Sequence, residues 1–201
     1  MKFFLSAASY IFHPLFLPLA AVFIYYSITP RYIELELASA QVLATAILTL
    51  IIPLIIFFLL RNLGVIETVH LQDVKERKVP LMIQCALLLL IIKMVYDPYD
   101  NPELYYFFVA VLFSTLTALI LSMLKFKASL HQLGISGITI FIVALSIHFQ
   151  INMLWAIAIL LFINGWVASS RLHSKAHSLT EITVGLFVGI VPQIIVLPFW
   201  L

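Results

Sequence analysis

The chain is 201 residues long, 64% hydrophobic and only 10% charged, with a mean hydropathy of +1.15. An ordinary soluble globule is about 45–50% apolar, so this composition excludes one and describes a single integral membrane domain spanning residues 1–201. A net charge of +2, with no basic tract set apart from the apolar runs, excludes nucleic acid as a partner.

Taken in order, seven apolar windows approach the roughly 20 residues that a bilayer core demands. They cover about 5–29, 39–60, 80–96, 104–124, 133–149, 152–168 and 182–200. They predict an all-α fold, a polytopic membrane helical bundle of about six to seven transmembrane helices. The third, fifth and sixth windows lie near the lower length limit, which makes each a candidate for a re-entrant segment. In the first, the small residues from Ser6 to Ser9 precede the main apolar run, which argues against a cleaved secretion signal. Pro14 and Pro18 predict a kink or break there.

Other features of the apolar runs have packing explanations. Pro53, Pro192 and Pro198 predict kinks, and Gly185 with Gly189 predicts close packing of the last helix on a neighbour. Asn164 predicts an interhelical hydrogen bond. The lone Cys85 lies in an apolar run and reads as a packed thiol, with no intrachain disulfide available. His13 and His148 read as packed or interfacial histidines. Trp155, Trp166, Trp200, Tyr25, Tyr26, Tyr105 and Tyr106 fall near segment ends and read as interface aromatics. No feature sets an oligomeric state.

The connections form two groups. Residues 30–38, 97–103 and 150–151 carry turn residues and little catalytic chemistry. Residues 61–79, 125–132 and 169–181 gather on the opposite face, and they hold His70, Lys75, Arg77, Lys78, Lys127, Ser129, His131, Ser170, Arg171, His173, His177 and Glu181. Ionisable groups at the mouth of a membrane segment are costly to desolvate, which makes this gathering a functional candidate. Nine of the eleven Lys and Arg lie on that face, but an anion site also demands cations, so the charge bias assigns no side of the membrane.

Arg77, Arg171, Lys127, Ser129 and Ser170 supply the forked donors, point charge and hydroxyls that surround a phosphoryl group. His177 suits a nucleophile, Glu181 its orienting carboxylate and His131 a general acid for the leaving oxygen. The stretch SRLHSKAHSLTE, from Ser170 to Glu181, resembles the third signature of the type 2 phosphatidic acid phosphatase superfamily, S-R-x5-H-x3-D, with Glu181 in place of Asp. Ala128 to His131 is similar to the second, P-S-G-H, keeping Ser and His but replacing Gly by Leu130. Of the first signature, K-x6-R-P, Arg77 matches; His70 stands at the Lys position, Pro80 arrives late, and Lys75 is a substitute cation. The signature-bearing core is about 70–189.

The resemblance implies a lipid phosphatase working through a phosphohistidine on His177, with no metal or other cofactor. It implies a lipid phosphate monoester or pyrophosphate as substrate, a bilayer as its surroundings and a bacterial cytoplasmic (inner) membrane as its setting. Three other readings use the same residues. Ser178 to Glu181 also forms an S-x-x-E capping box, which would make Glu181 a helix cap. His173, His177 and Glu181 recur every four residues, which on one helix would suit zinc with His70 or His131. The erosion of the first two signatures would suit a non-catalytic lipid-phosphate binding or transport protein. His173, outside the signature, reads as a neighbour of the site, and Lys75 and Lys78 read equally as headgroup anchors.

Overall fold

The computed structural model describes residues 2–66 and 74–201; His70 lies outside the described residues. Among the described residues the regular elements are helices: α1 (Lys2–Ile11), α2 (Leu17–Ile28), α3 (Leu35–Ala46), α4 (Ile52–Asn62), α5 (Lys78–Met94), α6 (Pro102–Met123), α7 (Leu130–His148), α8 (Leu154–His173) and α9 (Leu179–Val196). A π-helical turn at Ile47–Ile51 joins α3 to α4 without a break, just before Pro53.

Among the described residues five helical stretches are long and apolar enough to cross a membrane: Leu35–Asn62, Pro102–Met123, Leu130–His148, Leu154–His173 and Leu179–Phe199. Together they make the chain an all-helical bundle of the polytopic membrane kind. Two of the seven expected windows do not reach that length as single helices. The first window breaks at Phe12–Phe16 around Pro14, leaving two short helices, with Pro18 in the first turn of α2. The third becomes α5, whose 17 residues rise about 26 Å and run from the Arg77 end of the bundle to Val95, whose carbonyl accepts from Gln41.

Small residues draw the central helices together, as they must where lipid tails remove the hydrophobic incentive to associate. A Cβ on Gly185 would stand 2.6 Å from the Ser129 carbonyl oxygen, and one on Gly189 would overlap the Leu133 carbonyl and the Ser136 hydroxyl. The GxxxG pair is thus the seam between α9 and α7. Ser136 Oγ and Ser114 Oγ donate to the carbonyls of Leu186 and Val188, tying α7 and α6 to α9. Asn164 joins α8 to α7, accepting from Gln132 at 2.9 Å and donating to Thr139 at 2.8 Å.

The core is aromatic and aliphatic, centred on Phe107, Phe108, Phe141, Leu145 and Val167. By contrast α4 buries no residue. Cys85 is buried and free. Of the aromatics expected at interfaces, Trp155 is 86% exposed, whereas Trp200 and Tyr25 are buried. Tyr25 donates to Glu103, a wholly buried carboxylate that also meets Arg31 at 2.8 Å and His148 at 3.1 Å. A buried charge needs such partners, and this cluster explains both Tyr25 and His148 at the end of the bundle away from the three cationic connections.

Candidate functional site

The three connections converge through backbone carbonyls. Arg77 ends a short 3-10 turn before α5 and is 6% exposed, and its Nη1 donates to the Ala128 carbonyl at 2.9 Å. Lys125, in the left-handed region at φ 64°, reverses the chain after α6. Two residues on, Lys127 Nζ donates to the Ala176 carbonyl at 3.1 Å. Lys175, at φ 53°, makes the corresponding reversal after α8 and brings His177 back to the Lys127 carbonyl. The Ser129 N–H donates to the Glu181 carbonyl at 3.0 Å, closing the α7–α9 corner.

Two acceptors surround one nitrogen of His177. Nδ1 lies 3.2 Å from the Lys127 carbonyl and 3.0 Å from Glu181 Oε2. With both partners accepting, Nδ1 carries the proton, and the neutral ring presents its lone pair at Nε2. Burial pushes the His177 pKa below the ordinary imidazole value of 6.5, and the Arg77 and Arg171 cations push it the same way against the opposing pull of Glu181. Burial likewise lowers Arg77 to about 10, with Arg171 adding to the effect, so its guanidinium stays charged at neutral pH.

Glu181 serves the helix and the histidine together. Ser178 Oγ accepts from the Glu181 N–H while Glu181 Oε2 accepts from the Ser178 N–H at 3.0 Å, a complete capping box at the start of α9. The two readings of this carboxylate drawn from sequence are therefore one arrangement.

Arg77, Lys127, His131, Ser170, Arg171 and His177 line one end of a cavity of about 730 Å³. The remainder is mostly apolar, running between α2, α4, α5, α6, α7 and α9 past Leu81, Phe107 and Ile138 to Gln193. Glycine matters here at Gly134, where a Cβ would meet the Leu17 side chain at 2.6 Å. Such a space accommodates an anionic head beside cations and an apolar tail beneath.

Sequence reasoning missed the contribution of α1. Ser9 Oγ lies 2.7 Å from Ser170 Oγ and accepts from Arg171 Nη1 at 3.2 Å, while its carbonyl lies 3.1 Å from His131 Nε2. His13 meets His131 edge to face at 5.3 Å and lines the cavity, so it belongs with the cluster and not among isolated packed histidines. The available signal was Ser9 and His13, two polar side chains close together in a mostly apolar segment.

Three expected participants stand elsewhere. Ser129 is wholly buried, and its Oγ accepts from the Gln132 N–H as the N-cap of α7, so it is a structural cap and does not line the cavity. Lys75 is exposed and outside the cavity lining. His173 is exposed at the end of α8. Because the chain turns between His173 and Ser178, His173, His177 and Glu181 do not share a helix face. Among the described residues no group of three His, Cys, Asp or Glu is placed to hold a metal ion.

Comparison with protein-family models, with curated proteins and with solved structures finds no match.

Proposed function

We propose that the chain is a membrane lipid phosphatase, hydrolysing a lipid phosphate monoester or pyrophosphate through a phosphohistidine, in the manner of the type 2 phosphatidic acid phosphatases that its signatures resemble. The observation that carries this reading is the meeting of His177, fixed with Nε2 free, and the Arg77, Arg171 and Lys127 cations at the polar end of an apolar cavity.

In the first step the His177 Nε2 lone pair attacks phosphorus, forming N–P as the bond to the lipid oxygen breaks, and His131, as the imidazolium that a bound phosphate dianion favours, gives that oxygen its proton and is left neutral. Arg77, Arg171 and Lys127 hold the charge that builds on the phosphoryl oxygens, with Ser170 donating beside them. In the second step water attacks phosphorus, its proton passes to His131, N–P breaks and inorganic phosphate leaves. Glu181 holds the Nδ1 proton throughout and balances the positive imidazole of the intermediate. The bilayer keeps the tail, and a bacterial cytoplasmic membrane is the setting the resemblance implies.

Purified protein in detergent is expected to release phosphate from such lipids in the presence of a chelator and to be inhibited by orthovanadate. Activity lost to the chelator and restored by zinc would favour a metal hydrolase. Saturable binding of a lipid phosphate without turnover would favour a binding or transport protein.

A further inference from the structure

Ser9 satisfies three members of the candidate site at once, from a position 161 residues before Ser170. Its hydroxyl lies against Ser170 Oγ and Arg171 Nη1, two of the groups assigned to the phosphoryl oxygens. Its carbonyl accepts from Nε2 of His131, the group assigned to the leaving oxygen. That carbonyl is available because α1 ends at Ile11, leaving it among the last carbonyls of the helix, which lack intrahelical partners and carry partial negative charge. A helix C-terminus carrying a hydroxyl therefore presents oxygens, with negative partial charge, to the groups that would receive a phosphoester.

We propose that Ser9 is a built-in stand-in for the substrate headgroup: its Oγ holds the place of a phosphoryl oxygen and its carbonyl oxygen that of the leaving ester oxygen, so that α1 plugs the site until a lipid phosphate displaces it. This rests on the phosphatase reading of the same site. A single proton on His131 Nε2 cannot serve Ser9 and a departing lipid oxygen together, so turnover requires the Ser9 contact to break. Arg171 Nε is buried without a hydrogen-bond partner, a donor that Ser9 leaves unsatisfied and that a phosphate, with more oxygens, would engage. The means of movement is also present. α1 packs on α8, and the non-helical Phe12–Phe16 segment with Pro14 separates it from α2.

Two variants test the plug. Ser9→Ala frees Ser170 and Arg171 from their internal partner, so orthovanadate should bind several-fold more tightly than to the parent protein. Weaker binding would make Ser9 a phosphate ligand and overturn the plug. In Ser9→Cys/Ser170→Cys with Cys85→Ala, two side chains whose oxygens lie 2.7 Å apart can close a disulfide of about 2.05 Å. Oxidation should lower phosphate release from lysophosphatidic acid in detergent at least tenfold, and reduction should restore it. Equal rates in the oxidised and reduced forms would overturn the proposal. Absence of vanadate binding and turnover in the parent protein itself would instead overturn the phosphatase reading, and the plug with it.

Discussion

Glu181 Oε2 lies 3.0 Å from His177 Nδ1 and 3.0 Å from the Ser178 backbone nitrogen, so one carboxylate oxygen both begins α9 and fixes the imidazole. Glu181→Gln keeps an acceptor for the cap but removes the charge that steadies a positive ring. It is expected to cost under about 1 kcal/mol of stability and to slow turnover on the order of a hundredfold. Glu181→Ala loses both functions and should add a capping loss of about 0.5–2 kcal/mol. Thermal unfolding and phosphate release measured on the same preparations separate the two effects. Equal stability loss in both variants, with no change in rate, would leave Glu181 as a cap alone.

His131 is assigned to the leaving group, which gives it a substrate-dependent signature. His131→Ala should slow a lipid phosphate by about 10²–10⁴-fold, yet affect an aryl phosphate much less, because that alcohol departs without a proton. Equal losses on both substrates would remove the acid assignment.

The depressed pKa of His177 predicts where activity and stability fail in acid. The neutral ring is the nucleophile, so the acid limb of kcat/KM should lie below pH 6.5. Arg77→Met removes one of the cations that holds the pKa down and should move that limb upward. The stability effect has a definite sign. Between the lowered folded value and the unfolded value of 6.5, the unfolded state binds more protons. The His177 contribution is therefore complete above pH 6.5 and is lost as pH falls toward the folded value. A wild-type limb at or above pH 6.5 would contradict the assignment.

The helices and the three cationic connections were legible because both are written locally. Apolar length marks a span, and alternating crossings put Arg77, Lys127 and His177 at one end. The capping box at Ser178 and the close-packing pair Gly185 and Gly189 were equally readable. What sequence concealed is long-range. Ser9 and Ser170 are separated by most of the chain, and nothing near Ser9 signals that its helix ends facing Arg171. Ser129 misled for the opposite reason: its hydroxyl matches a signature position, but the N–H groups at the start of α7 demanded a cap. Trp200 and Tyr25 sit near segment ends, yet the neighbours that bury them, Phe141 and Glu103, come from elsewhere in the chain.

Gly189 bears on the site from a distance. A side chain there meets the Leu133 carbonyl of α7, and the same two helices hold Ser129 to Glu181 at the corner beneath His177. Gly189→Ala should cost about 1–3 kcal/mol through overpacking and reduce turnover by disturbing His177. Unchanged unfolding and unchanged rate would show that the seam yields without moving the corner.

The central claim is that His177 Nε2 takes the phosphoryl group. Rapid acid-free quenching of purified protein with a ³²P-labelled lipid phosphate, in the presence of a chelator, tests it most directly. An acid-labile, base-stable phosphoprotein is expected in the wild type, absent from His177→Ala together with phosphate release. Phosphate release by His177→Ala at the wild-type rate would contradict the account.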